Sequence, residues 1–301
     1  METIIAPIDR SLLKSELTSD NFLRKTNYGN REIYSVTHHD APNVLREIGR
    51  LREISFREAG GGTGKSMDLD DYDLCEVPYR QLIVWDNDED EIIGGYRYLE
   101  GSVTPIANGV PQISTAKMFH FSQKFIQDYL PKTIELGRSF IQPKYQSSRS
   151  GLFSLDNLWD GLGALVVKNP DVDYFFGKVT MYPTFNVTAR DYLLRFLNLY
   201  FCDEEKLVTP IDPVSLITDL NEIDACFKGL SLDEAFKTAN REIRELGENI
   251  PPLFSAYIKL SSTMKTFGTA INKSFGGVEE TGILVKISDI YEEKKARHVA
   301  L

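Results

Sequence analysis

The chain has 301 residues, 42% apolar and 26% charged, an ordinary globular composition that allows one or two domains around a real core. Thirty-four basic residues face 44 acidic ones, and the net charge of −10 speaks against non-specific nucleic-acid binding, which needs a basic footprint. Cys75, Cys202 and Cys226 form no CxxC pair, no run approaches the roughly 18–20 apolar residues that span a bilayer, and METIIAPIDRSLLKSEL meets charge too early for a signal peptide, so a cytoplasmic protein is expected.

Residues 1–37 show no clear period. From Ala41 to Arg57, the residues Val44, Leu45, Ile48, Leu51, Ile54 and Ser55 fall on one helical face, with Arg46, Glu47, Arg50 and Glu53 on the other. Asp40 is the expected N-cap, with Pro42 in the first turn, and Gly60 to Gly64 end the helix before the acidic loop DLDDYD at 68–73. RQLIVWD (80–86) and EIIGGYRYLEG (91–101) read as a hairpin turning at DNDED (86–90). Residues 112–131 read as helical up to Pro131, and TIELGRSFIQP (133–143) as a strand closed by proline.

Residues 154–168 read as a helix, VDYFFGKVTM (172–181) as an apolar strand and 186–200 as another helix. The segment 203–230 reads as loop-rich. Ser231 caps a charged helix that ends at Gly247, Pro251 and Pro252 start a further one, and TAINKSF (269–275) and TGILVKI (281–287) read as short strands. This order predicts an α/β (α+β) fold, a mixed central sheet flanked by helices. A single domain over 1–301 is expected, with 203–262 a helical insertion before the last strands.

Residues 59–66, AGGGTGKS, nearly spell a phosphate-binding loop, with Ala59 where the first glycine belongs. Such a loop needs a strand before it and a helix after it, whose N-terminus faces the phosphates. Here a helix precedes and MDLDDYDL follows, so a nucleotide-binding regulator is only an alternative. Other chemistry finds little support. His38 and His39 are adjacent, His120 and His298 isolated, and neither HExxH nor GxSxG occurs. Lys237, Arg241 and Arg244 share a helical face, but Glu234, Glu242 and Glu245 are interspersed, which reads as a solvated surface.

Several short signals stand in a particular order. Arg52-Glu-Ile-Ser-Phe56 ends the first long helix, and Asp68-Leu-Asp70-Asp-Tyr72-Asp73 follows. Arg97 lies in GGYRYLEG, and Glu135-Leu-Gly-Arg138-Ser lies on a strand. Tyr145 and Arg149, Leu158-Trp159, Phe176-Gly177 and Pro251-Pro252-Leu253 with Tyr257 complete the set. From Val44 to Ile290 the chain thereby resembles the amino-acid N-acyltransferases that make lyso-ornithine and glycine lipids, a group also labelled hemolysins. Its first half resembles the acyl-homoserine-lactone synthases.

The resemblance implies a GNAT-type acyltransferase fold with a helical C-terminal elaboration. It further implies a long, 3-hydroxylated or plain fatty acyl group passed from acyl carrier protein, or acyl-CoA, to the α-amine of a small amino acid such as glycine or ornithine. No tightly bound cofactor and no metal are implied, and contact with the inner face of a membrane fits the product. A signal synthase is the alternative within this class. The acetyltransferase pyrophosphate loop is poorly formed in KYQSSRSGL (144–152), which favours carrier protein over acetyl-CoA.

On this reading Glu135 is the candidate base and Arg138 its companion in the motif. In an extended strand the two would point to opposite faces unless a bulge intervenes. Arg52, Phe56, Asp70, Asp73 and Arg97 are candidate acceptor-binding residues, since a guanidinium matches a carboxylate through parallel hydrogen bonds. Lys144, Arg149 and Trp159 are candidate donor-binding residues, with Phe140, Phe175 and Phe176 beside Trp159 along an acyl slot.

Overall fold

The structure, a computed structural model, describes residues 1–146 and 148–299, and the side chains of all of these except 148–152. Its elements run α1 (Arg10–Glu16), β1 (Phe22–Lys25), β2 (Arg31–Val36), α2 (Pro42–Glu58), α3 (Asp71–Leu74), β3 (Arg80–Asp86) and β4 (Glu91–Glu100). Then come β5 (Ile106–Ala107), β6 (Val110–Pro111), β7 (Phe119–Phe121), β8 (Thr133–Ile141), α4 (Ser148–Lys168), β9 (Tyr174–Met181) and α5 (Val187–Phe201). The chain ends with β10 (Val208–Pro210), α6 (Leu220–Phe227), α7 (Leu232–Glu245), α8 (Pro252–Ile258), β11 (Lys265–Asn272), β12 (Val278–Lys286) and α9 (Glu292–His298). The fold is α/β, as expected.

Two compact units divide the chain. The first comprises residues 1–105, 131–173 and 291–301. In it β1, β2, β3, β4 and β8 lie side by side, each antiparallel to the next. Helix α2 forms because its apolar residues recur at helical spacing and Pro42 suits its first turn. Asp40 does not cap it. Its carboxylate instead accepts from the Thr37 amide at 2.6 Å, and Ala41 holds the cap position without a side-chain bond.

The two sheet faces of this unit differ. Leu82, paired with Tyr96, faces α4, where the missing side chain of Gly161 lets the helix settle: a Cβ there would lie 2.6 Å from the Leu82 side chain. Gln81, paired with Arg97, faces α2 and accepts from Arg52. The opposite side of α4 receives α9. The carboxylate of Asp160 accepts from the amide of Asn27 at 2.9 Å and from its side chain at 2.7 Å, and His298 Nδ1 lies 2.9 Å from the same group. A Cβ on Gly163 would stand 1.9 Å from the His298 carbonyl oxygen, closer than any real contact. Gly163→Ala is therefore expected to push α9 off α4 and to lower the melting temperature by several degrees, equivalent to about 1–3 kcal/mol of overpacking. Thermal melting beside the wild type checks this.

The second unit comprises residues 106–130 and 174–290. In it β12 lies between β9 and β11, antiparallel to both, while β7 pairs with β10 and β5 with β6. Helix α7 begins as read, at the capping box of Ser231 and Glu234. Three sequence expectations fail in part here. Residues 112–131 are helical only in part: Ser114–Lys117 is a 3-10 turn and Phe119–Phe121 is strand β7, while the helical reading of FSQKFIQDYL holds from Gln123 to Leu130. The stretch 203–230 contains β10 and α6 rather than loop alone. The last strands are longer than their apolar cores and begin earlier, at Lys265 and Val278.

Candidate active site

The site is built in the first unit by cross-strand register. Gln81 opposes Arg97, Arg97 opposes Gly137, and Leu99 opposes Glu135. With side chains alternating along each strand, Tyr79, Gln81, Arg97 and Glu135 share the face that α2 covers. Arg138 joins them by an irregularity. A bulge interrupts the β4–β8 register between Gly95 and Arg97, and Arg138 takes a left-handed φ of 49°. That conformation costs a non-glycine residue about 1–2 kcal/mol. In return its guanidinium reaches the acidic loop, with Nε 2.9 Å from Asp68 Oδ2 and Nη2 3.9 Å from Asp70 Oδ2. The opposite-face geometry of a regular strand does not apply. Glycines admit the bulge, since a Cβ on Gly94 would meet the Phe140 carbonyl at 2.4 Å.

The loop itself is ordered. Asp70 caps the single turn α3 by accepting from the Tyr72 amide at 3.0 Å, and Asp73 returns a bond to the Asp70 amide at 3.2 Å. Arg97 Nη1 donates to Asp70 at 2.8 Å and to Asp73 at 3.3 Å, while Arg52 Nη1 lies 3.4 Å from Asp73 and Gln81 Nε2 donates to Asp73 at 2.8 Å. Asp68, Asp73, Arg52 and Arg97 are buried, whereas the side chain of Asp70 keeps 26% of its surface and Arg138 14%, so the cluster opens to solvent at that pair.

Electrostatics follow the packing. Burial pushes the Asp73 carboxyl up, but Arg52 and Arg97 outweigh it and hold it at about 2. Burial also opposes the charge on Arg97, and Asp73 and Asp70 more than restore it, so its pKa is raised. Asp68 differs: burial raises it above the ordinary carboxylate range against the pull of Arg138 and Arg52.

Glu135 is buried on β8, and its Oε2 accepts the Tyr79 hydroxyl. The Tyr79 ring lies under Arg97, whose guanidinium carbon is 5.0 Å from its centroid, and meets the Tyr72 ring edge-on at 5.6 Å. Burial and the nearby Glu135 charge raise the Tyr72 hydroxyl pKa.

Of the residues singled out in the sequence, Arg52, Asp70, Asp73, Arg97, Glu135 and Arg138 thus gather in one cluster. Phe56 is buried on α2. Lys144 lies outside the cluster, its ammonium 3.2 Å from Glu89 and 2.5 Å from Glu91. Trp159 packs on α4 with its ring 6.5 Å from His298, and the side chain of Arg149 lies outside the described residues. Phe140 is buried in the first unit, and in the second Phe176 packs against Phe121 at 5.7 Å and Phe125 at 5.3 Å. The sequence reading missed Tyr79 and Gln81. Gln81 had one available signal, a polar side chain inside the apolar strand RQLIVWD.

The glycine-rich loop holds a carboxylate of its own. Glu53 accepts from the Thr63 amide at 3.0 Å, the Thr63 hydroxyl at 2.7 Å and the Gly64 amide at 2.8 Å, and pairs with Arg57 at 2.6 Å. The amides of Thr63 and Gly64 are thereby spent on Glu53 rather than offered to a phosphate.

A family model described as an acetyltransferase (GNAT) domain matches residues 51–155, a span that contains the whole cluster. The chain is 57% identical over 303 residues to a glycine N(alpha)-acyltransferase of Bacteroides thetaiotaomicron, covering 99% of this chain and 90% of that protein. It is 55% identical to a glycine N(alpha)-acyltransferase of Phocaeicola vulgatus, covering 99% and 93%. The solved structure of the AHL synthase LasI aligns at 13% identity with a TM-score of 0.34, over 56% of this chain and 79% of that one.

Proposed function

The chain belongs to the GNAT-type N-acyltransferases that these two bacterial proteins represent, and from that premise we propose that it acylates the α-amine of glycine with a fatty acyl group carried as a thioester on acyl carrier protein. The cluster on the α2-covered face supplies what this reaction asks for. Glycine brings a carboxylate and an ammonium. Arg138 and Arg97 offer guanidinium to the first, and Asp70, the most open acid of the set, offers its carboxylate to the second. An ammonium has no lone pair, so the amine gives up a proton before attack, and Glu135 accepts it. The amine then adds to the thioester carbonyl, the C–N bond forms, the C–S bond breaks, and the second proton that the nitrogen sheds on becoming an amide goes to the departing thiolate. No acyl-enzyme is required.

The observation that carries the reading is the joining of two guanidinium groups, a half-open carboxylate and a buried glutamate on one sheet face. The product, an N-acyl glycine, is an amphiphile suited to membrane aminolipid synthesis. The test incubates the purified chain with glycine, ornithine or S-adenosylmethionine and a fatty acyl thioester of either carrier protein or CoA, followed by mass spectrometry. N-acyl glycine formed faster from the carrier-bound donor supports the proposal in full. Product from ornithine or S-adenosylmethionine alone overturns the acceptor, and equal or faster use of the CoA thioester overturns the donor.

A further inference from the structure

We propose that Tyr79 is a positioning residue for the base: it holds Glu135 by its hydroxyl and keeps Arg97 off it by its ring. The inference rests on Glu135 being the proton acceptor. Arg97 and Glu135 are diagonal neighbours on one sheet face, since Arg97 opposes Gly137 and Leu99 opposes Glu135. Diagonal partners come within reach of long side chains. Both residues are buried, and an arginine and a glutamate so placed pair strongly in a low-dielectric interior. A glutamate locked to a guanidinium is a weak base, because the cation favours its charged form.

The structure avoids that outcome. Arg97 spends its Nη1 on Asp70 and Asp73, and its guanidinium rests on the face of Tyr79 at 5.0 Å. Glu135 takes the neutral hydroxyl of the same ring instead. One aromatic side chain thus separates the residue that binds the acceptor from the residue that takes its proton. Tyr72, edge-on to Tyr79 at 5.6 Å, stiffens the spacer. Tyr79 reaches this place because it directly precedes β3, two residues before Gln81 and on the same face.

The experiment is a double-mutant cycle on the purified full chain, with kcat and glycine KM measured on the acyl thioester that the wild type uses. Tyr79→Phe keeps the ring between Arg97 and Glu135 but loses the hydroxyl, and is expected to lower kcat by about 10–100-fold while glycine KM changes less than about threefold. Tyr79→Leu removes the spacer face as well, and is expected to lower kcat and also to raise glycine KM, as Arg97 turns toward Glu135. On a Glu135→Gln background, Tyr79→Phe is expected to cost nothing more. Wild-type kcat in Tyr79→Phe, or its full loss repeated on the Glu135→Gln background, overturns the inference while leaving the base in place. Wild-type turnover in Glu135→Gln alone removes the base itself, and is read without any change at Tyr79. Should Tyr79→Phe not fold, 3-fluorotyrosine at position 79 keeps the packing and strengthens the donor. The acid limb of the rate profile then moves to lower pH, and an unmoved limb overturns the inference.

Discussion

Glu135→Gln is expected to lower turnover by about 10²–10⁴-fold, the range over which a positioned proton acceptor contributes, with little change in melting temperature. The substitution keeps shape and volume. The glutamine amide oxygen accepts the Tyr79 hydroxyl as the carboxylate does, so that bond survives. Nor does the change orphan a cation. Arg52 and Arg97 keep Asp73, Arg97 keeps Asp70, and Arg138 keeps Asp68. What the change removes is the capacity to take a proton. A thiol-release assay beside a thermal melt separates the two effects, and unchanged turnover in a folded variant removes Glu135 from the chemistry.

What made this site legible before folding was local pattern. The apolar run RQLIVWD, the turn DNDED and the second run EIIGGYRYLE mark a hairpin on their own, and β3 and β4 form there. Helical spacing in 41–57 likewise announces α2. Once both elements exist, period-two alternation puts Arg97 on one definite face, and register then decides whether it meets Arg52.

Register and irregularity were not legible. The left-handed φ of Arg138 comes from one extra residue against β4, and nothing in LGRSF distinguishes a bulged strand from a regular one. Residues 119–121 follow the same logic at longer range. FSQKFIQDYL (121–130) carries helical spacing and is helical from Gln123, but Phe119–Phe121 at its start pairs with Val208–Pro210, nearly ninety residues on, a partner that local pattern does not show. The seven-residue α1 is too short to show a period at all. Tyr79 stands just outside the apolar run RQLIVWD, and the role proposed for it depends on residues of two other strands.

Arg97 is the second large effect, and burial decides how it must be tested. Arg97→Ala leaves Asp73 buried with its hydrogen bond from Gln81 and a longer contact to Arg52, and uncovers Asp70. Removing one partner of a buried ion pair costs about 3–5 kcal/mol, so the alanine variant is expected to lose stability first and substrate second. The loss depends on pH. The Asp73 carboxyl is held at about 2 in the folded chain, below its unfolded value of about 4. Its contribution is therefore complete above pH 4 and vanishes as pH falls through 2. Without Arg97 the folded value rises toward the unfolded one, so the variant lacks this contribution above pH 4 and its melting temperature converges on that of the wild type as pH falls through 2. Melting temperatures from pH 2 to 7 check this, and superimposable curves for variant and wild type would refute it. Arg97→Lys separates the second role. Lysine keeps a cation beside the two aspartates but not the planar fork. Its variant is expected to fold, to recover most of the stability above pH 4, and to raise the glycine KM about tenfold while donor KM holds, because the planar fork is what matches the acceptor's carboxylate.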